Sequence, residues 1–249
     1  MTFRLLTYNI MHGGGGRLDA LAAVIGGCQP DLVLLQEATD PANVQRLAEV
    51  TGMAEWRAFR AQSLGFLSKQ RVAGSEWVRP SISRHAFVEV VPVPGLRIFG
   101  VHLSAVHAAW TERRRVLELR ALLKTVARHQ DGLHVLAGDF NTVAPGDVFE
   151  ASKLPLRVRP FVWLSGGRIR WQVIAHIIDA GYVDVALECE RTATPTFPTW
   201  DPHLRLDYAF VPRERRVGVR GYRVVSDTPE ARTASDHLPI LVDVELAPP

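Results

Sequence analysis

His134-Val135-Leu136-Ala137-Gly138-Asp139-Phe140-Asn141-Thr142 is the stretch on which the reading of this chain turns. It opens as a buried strand, since Leu133, Val135 and Leu136 are apolar residues in close succession. It closes as a polar loop. Gly138 lets the backbone turn or approach a neighbour closely. Asp139 and Asn141 stand two residues apart, so in extended chain both point one way and Phe140 points the other. One apolar anchor then holds a carboxylate and an amide side by side at a strand end. The first is an acceptor or base, and the second both donates and accepts, which suits placing a water beside a phosphate. Asp and Asn are also ordinary turn residues, so the stretch alone leaves turn and site level.

Outward from it the same pattern recurs. An N-terminal strand, Phe3 to Ile10, carries Asn9 at its end. The glycine run from Gly13 to Gly16 lacks the Gly-Lys-Ser/Thr closure of a nucleotide phosphate loop and reads as a turn into a helix. Leu18, Leu21, Ala22 and Ile25 mark that helix, and Gly26-Gly27 are expected to stop it. Leu32-Val33-Leu34-Leu35 is apolar on both faces, hence a central strand, and runs into Gln36-Glu37. A carboxylate there is costly unless it meets a cation or donors. Residues 41–51 read as a short helix. Between Trp56 and Phe99 lie several strands, the last two a hairpin turned by Pro92, Pro94 and Gly95, after which comes His102. A long helix from about Ala108 to Arg128 has Val116, Leu119, Leu123 and Val126 on one side, and Arg113, Arg114 and Arg115 are expected mostly in solvent. Beyond Asn141, a segment from Arg157 to Trp171 mixes arginines with Trp163 and Trp171. It reads either as a nucleic-acid surface or as core tryptophans under a loop. A helix over 168–180, a Pro- and Thr-rich loop over 192–204, and strands at Leu206–Val211, Val217–Val225 and Leu238–Leu246 complete the chain.

The 249 residues and 47% apolar content fit one large domain spanning 1–249. No apolar run approaches the ~18 residues of a membrane span, and the first residues lack a signal-peptide pattern, so a soluble, cytoplasmic protein is expected. Cys28 and Cys189 show no metal-type spacing and read as reduced, partly buried thiols. A net charge of +3 favours an anionic substrate only mildly.

Asn9, Glu37, His102, Asp139, Asn141, Asp207, Asp236 and His237 all fall where apolar strands stop. Strand ends gathered at one sheet edge make a rigid scaffold for a site. Oxygen ligands and imidazole without thiolate suit a hard divalent ion rather than structural zinc. Asp236 and His237 are neighbours, which rarely bond side chain to side chain, so Asp207 or Asp139 is expected to orient that ring.

These pieces resemble the endonuclease/exonuclease/phosphatase superfamily. The matching segments are Thr7-Tyr8-Asn9, Leu35-Gln36-Glu37, Val101-His102-Leu103, Gly138-Asp139-Phe140-Asn141, Arg205-Leu206-Asp207-Tyr208 and Ser235-Asp236-His237-Leu238-Pro239, in the family's order and over nearly the whole chain. The resemblance implies an α+β fold, a four-layer α/β/β/α sandwich of two mixed β-sheets packed face to face with helices outside. It implies hydrolysis of a phosphate ester with Mg²⁺, Mn²⁺ being the other candidate. Carried over, Glu37 is the main metal ligand, with Asn9 and Asp236 beside it. Asp139 holds or deprotonates the water, Asn141 orients it, and His102 contacts the phosphate or assists the leaving oxygen. His237 faces the phosphate and Asp207 supports a histidine. Arg205, Trp110 and Trp200 are the candidates for substrate contact, while His12, His107 and His203 are rim residues without a role. Pro198-Thr199-Trp200-Asp201-Pro202 lacks the arginine of the inositol 5-phosphatases, which disfavours that substrate. The expected partner is a phosphate-ester substrate, DNA or RNA slightly ahead, with no obligate protein partner. The rivals are a small-molecule or lipid phosphate ester and, further back, an inactive binding module of the same fold.

Overall fold

The computed structural model describes residues 2–60, 62–80, 86–105, 109–128, 132–147, 171–190 and 193–246. The segment from Arg157 to residue 170, with His85, His107 and His129, lies outside them. Two six-stranded sheets carry the fold. The first runs β11 (Val219–Val224), β12 (Ile240–Glu245), β1 (Thr2–Asn9), β2 (Leu32–Gln36), β4 (Leu64–Ser68), β3 (Glu55–Ala58). The second runs β5 (Gly74–Val78), β6 (Phe87–Val93), β7 (Leu96–His102), β8 (Leu133–Asp139), β10 (Asp207–Pro212), β9 (Tyr182–Asp184). Both are mixed, because β1–β2 and β7–β8 pair in parallel while their other neighbours are antiparallel.

Alternation along the central strands explains the layering. Phe3, Leu5, Leu32 and Leu34 of the first sheet meet Ile98, Val135, Ala137 and Ala209 of the second in a shared core. The opposite faces of β1 and β2 send Leu6, Tyr8, Val33 and Leu35 outward against helices α1 (Leu18–Cys28), α2 (Pro41–Thr51) and α6 (Pro229–Thr233). Phe99, Val101, Leu136 and Phe210 do the same on the other side, under α3 (Ala109–Val126) and α4 (Gln172–Asp179). The result is the expected four-layer α/β/β/α sandwich. A further short helix, α5, spans Val185–Cys189.

Several local expectations are corrected. Helix α1 runs through Gly26-Gly27 and ends only where Gln29 turns left-handed. The two glycines cost roughly 1 kcal/mol each against alanine, and the buried Ile25 and Cys28 that flank them hold the turn together. Pro92 lies inside β6, not in its turn. The β6–β7 register shifts between Val90 and Val93, so the missing N–H falls at an irregularity. Arg115 is buried, not solvated, and Cys189 is exposed. Among the described residues no helix is long and apolar enough to cross a membrane.

Candidate active site at the seam between the sheets

Each sheet supplies half of a polar cluster. In the second sheet, the registers place His102 opposite Asp139, and Asp139 opposite Asp207. One rung across β7, β8 and β10 thus carries an imidazole and two carboxylates. In the first sheet, Asn9 lies opposite Gln36, so the next residue, Glu37, leaves the sheet beside it. Asp236 and His237 form the turn that enters β12. His102, Asp139, Asn141, Asp207 and His237 are buried, whereas Glu37 and Asp236 are partly exposed.

The halves are joined by hydrogen bonds. Asn9 Nδ2 donates to Glu37 Oε1 at 3.3 Å and to Asp139 Oδ2 at 3.1 Å. His237 Nδ1 meets Asp207 Oδ2 at 2.8 Å. The same oxygen accepts from the Thr196 hydroxyl at 2.6 Å, and the hydroxyl oxygen in turn accepts the Leu206 and Asp207 N–H groups. A carboxylate fixed in this way puts the proton on Nδ1 and leaves Nε2 toward Asp139. His237 Nε2 and His102 Nε2 each lie 3.9 Å from Asp139 Oδ2.

Asp139 is gripped from its own loop as well. The Asn141 N–H donates to Oδ1 at 2.8 Å, and Asn141 Nδ2 donates to Oδ2 at 3.1 Å and to the Leu103 carbonyl at 3.0 Å. Asn141 is left-handed, with φ of 52°, so a tight turn rather than extended chain brings amide and carboxylate together. Phe140 is the anchor, packed edge-on against Tyr208 and Phe210. Four of the five non-glycine residues with positive φ among the described residues, Met11, His12, Glu37 and Asn141, lie in these loops. Such strain persists where the surroundings over-determine it.

Burial pushes the Asp139 carboxyl up to about 7, the Asp207 charge adding to it while His237, the Asn141 N–H and Asn9 oppose it. Burial alone would depress the His237 imidazole. Asp207 and Asp139 outweigh that and push it up to about 10.

The Endonuclease/Exonuclease/phosphatase family profile matches residues 6–237. The chain belongs to that family. This endonuclease/exonuclease/phosphatase protein is therefore a phosphoester hydrolase. Its fold is similar to a 3′ phosphatase from Neisseria bound to product DNA hairpin, with a TM-score of 0.73 and 17% identity over 98% of this chain and 100% of that one. It is also similar to an AP endonuclease from Archaeoglobus fulgidus, at 0.71 and 16% over 98% and 100%. A family protein from Beutenbergia cavernae gives 0.71 and 22% over 99% of this chain and 72% of that one. Among curated proteins none matches the sequence.

Two groups of side chains compete as cation ligands in this family member. Ligand atoms of Asp139, Asp207 and His237 lie within 4.8 Å of one another. Of these, His237 Nδ1 and Asp207 Oδ2 are committed to each other, which leaves Nε2 facing a fully buried Asp139. Glu37 is the better fit. Its side chain keeps 28% exposure and carboxylate oxygen suits Mg²⁺ or Mn²⁺, while Asn9 meets it through Nδ2 and has Oδ1 accepting the Met11 N–H. Asp236 is tied to this corner through Ser235, whose hydroxyl donates to the Asn9 carbonyl at 2.6 Å.

Of the substrate candidates, Trp200 is 71% exposed and leans on Phe197, which packs on the His237 ring at 4.8 Å. The Trp110 side chain lies outside the described residues. Arg205 is a correction. It is buried, its guanidinium bonded to Asp184 at 2.6 Å and to Asp147, and it presents no charge to a substrate. Sequence reading missed Thr196, a hydroxyl in a Pro/Thr-rich loop that nothing marks as a support. It also missed Arg17, whose guanidinium bonds the carbonyls of Ile10, Met11, Gly15 and Ala234 and so ties the Asn9 loop to the His237 loop.

Proposed function

We propose that this protein is a divalent-metal-dependent phosphodiesterase that uses water as nucleophile, with nucleic acid as its substrate class. The observation that carries the reading is the continuous polar chain Glu37–Asn9–Asp139 beside the Asp207–His237 pair, each half held by a different sheet. Glu37, with Asn9 and Asp236, would hold Mg²⁺ or Mn²⁺. Such an ion, when bound, neutralises a phosphate oxygen and lowers the pKa of a water. Asp139 is placed to accept the proton of the attacking water. Its burial raises its basicity toward neutrality, and Asn9 and Asn141 fix its direction. His237 is kept protonated by two carboxylates and serves as a donor to the phosphoryl oxygens rather than as a base. His102 lies on the other side of Asp139, where it can assist charge developing on the leaving oxygen. The like charge of a phosphodiester repels a hydroxide, and donors on two sides of the centre answer that repulsion.

Nucleic acid is favoured on two grounds. The similar Neisseria phosphatase is described with product DNA hairpin, and a similar D. rerio structure with single-strand DNA product. In this chain the Phe197–Trp200 step continues the His237 ring outward to an exposed indole, a face on which a base can stack.

The test is hydrolysis of single-stranded, duplex and abasic DNA, RNA, lipid and sugar phosphates and bis(p-nitrophenyl) phosphate, with Mg²⁺, Mn²⁺ or EDTA. Cleavage of a nucleic acid that EDTA abolishes is expected. Glu37→Gln and His237→Ala should each lower kcat at least ~100-fold, and Trp200→Ala should raise KM on the nucleic acid but not on the small diester. Turnover confined to lipid or sugar phosphates would overturn the substrate class. No metal-stimulated turnover on any ester would favour the inactive binding module.

A further inference from the structure

The loop after Asn9 wraps the Glu37 carboxylate more closely than a connection requires. Met11 and His12 are both left-handed, with φ of 48° and 52°, and Glu37 itself has φ of 55°. This geometry aims successive N–H groups at one corner. Met11 N donates to Asn9 Oδ1 at 3.0 Å, His12 N to Glu37 Oε2 at 2.7 Å, and Gly13 N to the Glu37 carbonyl at 2.8 Å. The same turn swings the His12 ring over the carboxylate. Its Nδ1 stands 3.5 Å from Glu37 Oε2, while 84% of the side chain is in solvent.

We propose that His12 is a ligand of the cation held at Glu37, and that this nitrogen makes the site prefer Mn²⁺ to Mg²⁺. Two ligand atoms at right angles on an ion with ~2.1 Å bonds are about 3 Å apart, so a small ring rotation lets Nδ1 and Oε2 share one ion. The alternative is a bare surface ion pair between His12 and Glu37. A pair so exposed contributes at most about 1 kcal/mol, which does not outweigh backbone strain of order 1 kcal/mol at each left-handed residue. The three N–H bonds named above hold the loop instead, and the exposed Nδ1 beside Oε2 is left in reach of an ion. Mg²⁺ demands near-ideal octahedral oxygen coordination, whereas imidazole nitrogen suits transition-metal ions, and Mn²⁺ loses less by accepting it.

The inference rests on the proposed metal at Glu37, and the experiment separates the two. Metal-free protein is titrated with MnCl₂ and followed by electron paramagnetic resonance, with pulsed detection of ¹⁴N modulation on the bound ion. Wild type, Glu37→Gln, His12→Ala and His12→Asn are compared, the last because asparagine tolerates the left-handed backbone. Circular dichroism checks that each variant is folded. Wild type is expected to bind Mn²⁺ with ¹⁴N modulation and to release it only at a large excess of Mg²⁺. Both His12 variants should lose the modulation and bind Mn²⁺ about tenfold or more weakly, with Mg²⁺ affinity changed much less. Mn²⁺ binding lost in Glu37→Gln, yet unchanged in affinity and modulation in the His12 variants, overturns the ligand and leaves the metal at Glu37. No Mn²⁺ bound by folded wild type overturns both.

Discussion

At position 138 a methyl group would stand 2.0 Å from the Val101 carbonyl oxygen, on a backbone whose φ of 143° suits only glycine. Val101 precedes His102 and Gly138 precedes Asp139, so the close approach of β7 and β8 is what sets the imidazole beside the carboxylate. Gly138→Ala is expected to destabilise the fold by ~3 kcal/mol or more and to lower activity even below the melting transition. A urea midpoint with an assay on the same sample checks both. A second residue gives a pH signature. His134 is buried against the Tyr182 hydroxyl at 2.7 Å, and burial holds its imidazole below the ordinary value of 6.5. The unfolded chain takes up a proton near 6.5 that the folded chain refuses. Stability is therefore intact above that pH and falls as pH drops through it, by up to about 1.4 kcal/mol per unit for one proton. His134→Gln should lose less stability than wild type between pH 7 and pH 5, measured as paired urea titrations. At this scale the sequence was informative about Gly138 and silent about His134. A glycine before a charged strand end announces a close approach, whereas a strand histidine does not announce its partner.

Among the elements, α3 shows most clearly what a sequence conceals. Three consecutive arginines cannot all face one way and were expected mostly in solvent, yet Arg115 is turned inward. It pairs with Glu112 at 2.8 Å and donates to the Ser104 carbonyl. Glu112 also accepts from the Val173 N–H and the Thr142 hydroxyl, and Glu118 takes both the N–H and the hydroxyl of Ser104. One helix thereby pins the loops just after His102 and just after Asn141. Glu–Arg spacings of three and four residues are equally common on exposed helix faces, so no local pattern tells the buried pair from a solvated one. Glu112→Ala leaves Arg115 buried without that carboxylate, and a loss of about 3–5 kcal/mol is expected. The urea midpoint should fall, and kcat should fall with it at temperatures where the variant is still folded, because the loops bearing His102 and Asn141 lose their tether. Strand β2 was legible for the opposite reason. Apolar residues on both faces leave no assignment but the middle of a sheet, and β2 is buried along its whole length.

The whole molecule is two half-sites brought into register by one shared core. The strand ends that hold Asn9, Glu37, His102 and Asp139 were readable because each follows an apolar run, whereas Asp207 opens β10 rather than ending a strand. Their convergence was expected as strand ends gathered at one sheet edge, but not that two sheets would each supply half, which depends on how they face each other across residues far apart in sequence. The supports were invisible for the same reason. Thr196 meets Asp207, and Arg17 reaches Ala234 across 217 positions. A chain ended at residue 234 lacks His237 and β12, and with them Ile240, Val242 and Val244 of the inter-sheet core. It should show no cooperative urea transition and no turnover.

The first strand of the chain hydrogen-bonds to the last, β1 to β12, with Thr2 opposite Glu245. During synthesis, β1 must therefore wait for residues 240–245 before that edge is covered. The ring that completes the centre arrives only just ahead of that final strand. A chain still on the ribosome therefore holds an unfinished catalyst until these residues have emerged.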